Sequence, residues 1–133
     1  MNEIKDTNRL VWTEHAKHKV RHYQLSSSKI RSIIDHPERR EEAIVEGLFA
    51  SMRTSGSRKH RYEIWTMYAI VQTKPTSLKL ANKVISLAPQ KRIKIISAWR
   101  YPGKTEPGKP IPIPDDTIRE YGLASDLITS YTP

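Results

Sequence analysis

Two short stretches near the start of the chain carry apolar residues at helical spacing behind a capping residue. Thr13 stands at the N-cap position of the first, and the serine run 26–28 offers a cap for the second, which Pro37 ends. The apolar positions are Ala16, Val20 and Tyr23 in the first stretch and Ile30, Ile33 and Ile34 in the second. The pattern predicts two short helices, running to about Tyr23 and His36, joined as a helical hairpin.

After Glu38 the pattern changes to the two-residue period of strands. The predicted strands cover residues 39–45, 48–53, 62–71 and 92–101. The first is charged and fits a sheet edge, whereas the third is apolar on both faces and fits the sheet centre. Residues 72–90 are polar and contain Pro75 and Pro89, which predicts a long loop or insertion.

The remaining segments predict one domain with two polar extensions. Residues 1–8 are polar and are predicted to be flexible, and 9–101 form a single α+β domain. Residues 102–133 begin with a stretch rich in Pro and Gly, so we expect an extended tail that closes with a short turn or helix after Asp115 or Asp116. The predicted fold is two N-terminal helices packed on a three- to four-stranded antiparallel sheet, followed by the tail.

Composition narrows the classes of function. The 133 residues suit one domain, and a formal charge of +9 with a pI near 9.9 favours a polyanionic partner. The absence of cysteine excludes disulfides and thiol chemistry. No apolar run reaches the ~20 residues of a membrane span, and the start of the chain is polar, so we expect a cytoplasmic protein without membrane contact.

One face of the first predicted helix is rich in histidine. At about 100° per residue, His15, His18 and His22 lie within about 60° of one another, with Lys19 beside them and away from the apolar stripe. Imidazoles can transfer protons or pair with phosphate near neutral pH. Three readings stay open: a solvated polar face, RNA contact with proton transfer, and a zinc site. The sequence offers no carboxylate at a familiar metal-ligand spacing, so we predict no metal.

Two further groups of cations are candidates for nucleic-acid contact. Arg92, Lys94 and Arg100 fall on one face of the last predicted strand, which Tyr101 ends. The turn between the second and third strands carries Arg53, Arg58, Lys59 and Arg61. For the strand group, ordinary solvation of a basic protein is an equal alternative, with Arg100 favoured for contact because it lies deepest in the apolar stretch. For the turn, we expect phosphate contact without catalysis. Phosphate-binding glycine loops and a Gly-x-Ser-x-Gly motif are both missing, so any enzyme here works without a nucleotide cofactor.

Two segments resemble a known family. Residues 12–19, Trp-Thr-Glu-His-Ala-Lys-His-Lys, are similar to the His-Ala opening of proteins related to BrnT-type toxins. Residues 91–100, Lys-Arg-Ile-Lys-Ile-Ile-Ser-Ala-Trp-Arg, resemble the Ile-Ser-Ala-Arg strand of that family. The resemblance implies a RelE-like fold and metal-independent endoribonuclease activity, with a protein antitoxin as partner. It also implies that Arg100 binds phosphate and that His15 is the leading acid/base. The alternative is a non-catalytic module that binds nucleic acid or an acidic protein.

Overall fold

The computed structural model describes residues 4–42, 47–72, 75–106, 108–121 and 128–131. Within these residues the chain begins with a strand and then forms two helices, a series of strands, and a third helix between two short strands. In order, the elements are β1 (Leu10–Trp12), α1 (Glu14–His22), α2 (Ser27–Asp35), β2 (Arg39–Glu42), β3 (Leu48–Gly56), β4 (Arg61–Gln72), β5 (Thr76–Leu80), β6 (Lys83–Leu87), β7 (Lys91–Pro102), β8 (Ile111–Pro114), α3 (Asp115–Tyr121) and β9 (Ile128–Tyr131).

The main sheet has five strands in the order β1-β7-β4-β3-β2. Its central strand is β4 and its charged edge strand is β2, as the sequence predicts; residues 43–45 of that predicted edge strand lie outside the described residues. The predicted fold class is wrong, because β1 precedes the helices and pairs in parallel with β7, which makes the sheet mixed. Three residues are too few to show a strand period, and Leu10 pairs with Ile93, far along the chain.

Both faces of the sheet are covered. On one face, α1 and α2 enclose the helix-side core, made of Ile4, Leu10, Trp12, Ala16, Val20, Ile30, Ile33, Ile64, Tyr68, Ile95 and Ala98. The opposite-face core contains Leu48, Ala50, Met52, Trp65, Met67, Ile96, Trp99, Ile111 and Ile113. Because Ile111 and Ile113 are buried, the segment predicted as an extended tail is in fact part of the packed domain. Its strand β8 pairs in parallel with β9.

The two N-terminal helices begin where the sequence predicts. The Thr13 side chain accepts a hydrogen bond from the Ala16 N–H, and the Ser26 side chain accepts one from the Lys29 N–H. Between the helices, Gln24 has a φ of 55°, which is the left-handed conformation. The N–H of Leu25 donates to the Val20 carbonyl, so α1 ends in a Schellman motif.

A β-bulge in β7 changes which residues share a face. The pairing with β4 shifts between Met67 and Tyr68, leaving one extra residue in β7. Before the bulge, Ile95 faces the helices, whereas after it Ala98 does so. Alternation then puts Arg100 on the helix side and Lys94 on the opposite side. The prediction that Arg92, Lys94 and Arg100 share one face is therefore wrong.

Residues 72–90, predicted as a loop or insertion, contain the β5–β6 arm (residues 76–87). In the sequence, three residues separate Gln72 from Thr76 and three separate Leu87 from Lys91, so the pairs Gln72–Lys91 and Thr76–Leu87 are in the same register. Four apolar side chains on one face of the arm are between 42% and 55% exposed, namely Leu78, Leu80, Ile85 and Leu87. The sequence pattern did not predict these strands, because their few apolar residues form a weak run within a polar stretch between Pro75 and Pro89.

The start of the described chain is anchored. Ile4 is buried in the helix-side core, and the Asp6 carboxylate accepts a hydrogen bond from the Trp12 N–H at 2.9 Å. These contacts attach Ile4 and Asp6 to the domain, and the flexibility of residues 1–8 stays a prediction. None of the helices in the described ranges has the length and apolar character needed to cross a membrane.

Candidate nucleic-acid interface

An open groove of about 660 Å³ lies where the end of α1 meets the β3–β4 turn and the end of β7. We call it the basic groove. It is lined by His22, Tyr23, Lys59, His60, Arg61, Tyr62, Arg100 and Pro102. Three of these residues carry a permanent positive charge, two are histidines and none is acidic. A groove with cations and aromatic rings suits a polynucleotide, whose phosphates need charge and whose bases need stacking surfaces.

Arg100 is held in the wall of this groove by two neighbours. Its Nη2 donates a 3.0 Å hydrogen bond to the Tyr23 carbonyl oxygen at the end of α1. Its guanidinium carbon lies 4.7 Å from the centre of the Tyr62 ring. The Arg100 Nε is buried without a hydrogen-bond partner. Arg100 is thus a fixed cation in the groove wall, and its positive charge favours an anionic ligand.

The two histidines enter the groove from different elements. His22 is exposed at the end of α1, where its ring is edge-on to Tyr23 and stacks on His18 with a centroid distance of 6.4 Å. His60 lies in the turn before β4, and its N–H donates to the Ser57 carbonyl. Gly56 permits this turn, because it has a φ of 89° and a Cβ there would lie 2.2 Å from the His60 oxygen.

His15, the leading acid/base of the family resemblance, lies outside the groove. Its Nε2 is 3.0 Å from Oγ1 of Thr117, which in turn is 2.8 Å from the Ser97 hydroxyl. Burial lowers the pKa of His15 below its ordinary value, although the charge of Asp116 opposes the shift. His15 therefore joins α1 to α3, and the prediction that the three histidines share one site is wrong.

Lys19 does not face solvent, contrary to the predicted role in nucleic-acid binding. Its side chain is 3% exposed, and its Nζ lies 3.0 Å from each carboxylate oxygen of Asp116. Its Nζ also lies 4.9 Å from the centre of the Tyr23 ring. Burial alone would raise the pKa of Asp116, but the hydrogen bonds and charge of Lys19 lower it below its ordinary value. Lys19 is therefore a structural residue.

The other predicted contacts are dispersed. Arg53 donates to the His36 carbonyl, and Arg92 donates to the Thr7 carbonyl at 2.9 Å. Arg58 is exposed in the β3–β4 turn, and Lys94 is exposed on the sheet face opposite Arg100. Tyr101 packs partly buried against the opposite-face core. The groove thus gathers only four of the predicted residues: His22, Lys59, Arg61 and Arg100.

A second cleft of about 510 Å³ lies on the other face of the sheet at the same end. We call it the rear cleft; its lining includes Glu38, Arg39, Thr54, Ser55, Arg61, Lys104 and Thr105. Beneath it the fully buried Glu63 accepts hydrogen bonds from the Trp65 indole N–H at 3.0 Å and from the Thr105 N–H at 3.0 Å. These bonds hold the segment after β7 against the sheet.

Sequence reasoning missed His60, Tyr62 and the Glu63 cluster. His60 was visible as a histidine among the three cations Arg58, Lys59 and Arg61, and Glu63 as the lone acid before the apolar part of β4. Tyr62 gave no signal, because its contact with Arg100 exists only through the pairing of β4 with β7. Across the described ranges, no group of three His, Asp or Glu side chains is arranged to hold a metal ion.

Comparison with protein-family models, with curated proteins and with solved structures finds no match for this chain.

Proposed function

We propose that this chain is a metal-independent endoribonuclease that binds single-stranded RNA in the basic groove. The observation that carries the proposal is the meeting of His22, His60 and Arg100 in one groove without a lining carboxylate. Magnesium-dependent nucleases hold their ions through carboxylates, whereas cleavage by the 2′-hydroxyl needs only bases, acids and cations. Ribonuclease activity is also what the resemblance to BrnT-type toxins implies, and control by an antitoxin stays a prediction of that resemblance.

The lining residues can supply each part of the reaction. One histidine takes the proton of the ribose 2′-hydroxyl, and the 2′-oxygen attacks the adjacent phosphorus. The bond from phosphorus to the 5′-oxygen breaks, and the other histidine gives that oxygen a proton. Arg100 and Lys59 stabilise the negative charge that builds up on the phosphoryl oxygens. The products are a 2′,3′-cyclic phosphate and a 5′-hydroxyl end.

The direct test is cleavage of a 5′-labelled mixed-sequence RNA by the purified protein in EDTA. We expect fragments that end in 2′,3′-cyclic phosphate, and a rate that falls ~100-fold or more in His22→Ala or His60→Ala. His36→Ala is the matched control, because His36 is exposed but lies outside the groove. A DNA strand of the same sequence should bind without being cut, since it lacks the 2′-hydroxyl.

Two results would count against the proposal. Salt-sensitive RNA binding without cleavage would leave a non-catalytic RNA-binding module. Cleavage that survives in both histidine variants and in Arg100→Ala would show that the activity does not come from the basic groove. Circular dichroism on each variant separates loss of chemistry from loss of folding.

A further inference from the structure

We propose that the rear cleft is a second phosphate-binding subsite, so that the substrate is an extended single strand that bends around the β3–β4 turn; this rests on the function proposed above. The basic groove lies on the helix side of the sheet, and the rear cleft lies on the opposite side. Both lie at the same end of the sheet. A strand that occupied both would cross the sheet edge at this turn.

Arg61 connects the two sites. It lines both the basic groove and the rear cleft, and it begins β4 directly after the turn, paired with Gly56. Alternation along β4 directs Arg61 to the same face as Glu63 and Trp65, whereas Tyr62 faces the helices. The Tyr62 hydroxyl nevertheless lies 3.4 Å from Ser55 Oγ, so the two linings touch. A phosphate at Arg61 would therefore lie between the two subsites.

The rear cleft has the donors that phosphate needs. Arg61 and Lys104 are exposed cations of its lining, and both can donate hydrogen bonds to a phosphate. Its single acidic residue, Glu38, is already engaged: it accepts a 2.7 Å hydrogen bond from Thr54 Oγ1 and lies 4.0 Å from Arg53 Nη2. The net charge of the lining is positive, which favours a phosphodiester over a cation.

Arg39 is a preorganised cation at the base of this cleft. Its side chain is 8% exposed, and its Nη2 donates to the Lys109 carbonyl at 2.7 Å and to a Glu41 carboxylate oxygen at 2.8 Å. Its guanidinium carbon lies 5.3 Å from the centre of the Trp65 ring. The Arg39 Nε is buried without a hydrogen-bond partner. Arg39 is thus ordered by its own partners and fixes the floor of the cleft, and the exposed Arg61 and Lys104 are the cations that a phosphate can reach.

Binding of uncleavable RNA of increasing length tests this inference. We would measure the dissociation constants of 5′-labelled 2′-O-methyl oligouridines of two to twelve nucleotides by fluorescence anisotropy. A dinucleotide has a single internucleotide phosphate and can occupy only one subsite, whereas longer strands can reach the rear cleft. We expect the affinity to rise at least about tenfold with length, which corresponds to one or two further phosphate contacts.

Three variants identify the sites responsible. Lys104→Ala should abolish the gain with length and leave the affinity for the shortest oligonucleotides unchanged. Arg100→Ala should weaken binding at every length. Lys91→Ala, an exposed cation at the opposite end of β7, is the matched control and should change nothing.

The outcomes separate the two proposals. If the wild-type protein binds short oligonucleotides but the affinity does not rise with length, or if Lys104→Ala matches it at all lengths, the second subsite is wrong and the groove proposal stands. If the wild-type protein binds no oligonucleotide, the proposed function fails as well.

Discussion

The Lys19 ammonium group lies 3.0 Å from both carboxylate oxygens of Asp116, and this ion pair joins α1 to α3. The two partners differ in environment. The Lys19 side chain is 3% exposed, whereas the Asp116 side chain is 41% exposed. Water can therefore replace Lys19 as a partner for Asp116, but it cannot reach Lys19 to replace Asp116.

This asymmetry predicts unequal effects of removing either partner. Asp116→Asn leaves a buried charge unpaired and should lower the free energy of unfolding by about 3 kcal/mol. Lys19→Met leaves a carboxylate that water can solvate and should cost about 1 kcal/mol. Urea denaturation of both variants measures the difference. Equal losses would contradict the burial of Lys19.

His15 predicts a pH dependence of stability. Burial lowers its pKa in the folded state, with Lys19 and His18 adding to the shift and Asp116 and Glu120 opposing it. Between the folded pKa and the ordinary value of 6.5, the unfolded chain binds a proton at this position that the folded chain does not. The free energy of unfolding should therefore fall as the pH drops below about 6.5.

Denaturation of His15→Gln at several pH values tests this origin. The variant should lose the decline of stability just below pH 6.5, whereas the exposed His18→Gln should keep it. At lower pH a second decline should occur in both variants. The pKa of Asp116 is lowered in the folded state, so the stability that this carboxylate contributes is lost when it becomes protonated. An unchanged profile in His15→Gln would exclude His15 as the source.

The Schellman motif at the end of α1 predicts a stabilising substitution. Gln24 holds a φ of 55°, in the left-handed region that costs a residue with a Cβ about 1 kcal/mol. Gln24→Gly should therefore raise the free energy of unfolding by about that amount. Gln24→Ala is the matched control and should give no gain, because alanine keeps the Cβ. Thermal and urea unfolding both report the difference.

The β5–β6 arm predicts a tolerated deletion. Within the arm, Leu80 pairs with Lys83 across a two-residue turn. Gln72, which pairs with Lys91, lies an even number of residues before Leu80, so the two pairs occupy equivalent positions in the strand alternation. Joining Gln72 to Lys91 by Asn-Gly should therefore keep the sheet register. The free energy of unfolding should change by less than about 1 kcal/mol, because the apolar side chains that are removed are about half exposed.

A core variant sets the scale for that deletion. Ile33→Ala removes a side chain that is fully buried in the helix-side core and should cost about 3 kcal/mol. If deletion of the arm destabilised the domain as much as Ile33→Ala does, the arm would be part of the cooperative fold. Urea denaturation of the two proteins side by side gives the comparison.

Local signals in the sequence determined the elements whose causes are local. Thr13 and Ser26 predict the starts of α1 and α2, because a capping side chain bonds to an N–H only three residues away. The apolar run of β4 predicts a central strand, because a strand with neighbours on both sides is buried on both faces. The excess of positive charge is likewise a property of composition alone.

Contacts between distant residues decided the rest. The parallel pairing of β1 with β7 made the sheet mixed, and the bulge in β7 moved Arg100 to the face opposite Lys94. Both depend on the pairing of strands that are far apart in the chain, and neither leaves a local pattern. Packing of α3 against α1 brings His15 into contact with Thr117, whereas His22 lines the basic groove. The sequence alone determined which residues could do chemistry, and tertiary packing decided which of them meet, because only packing brings distant side chains within bonding distance.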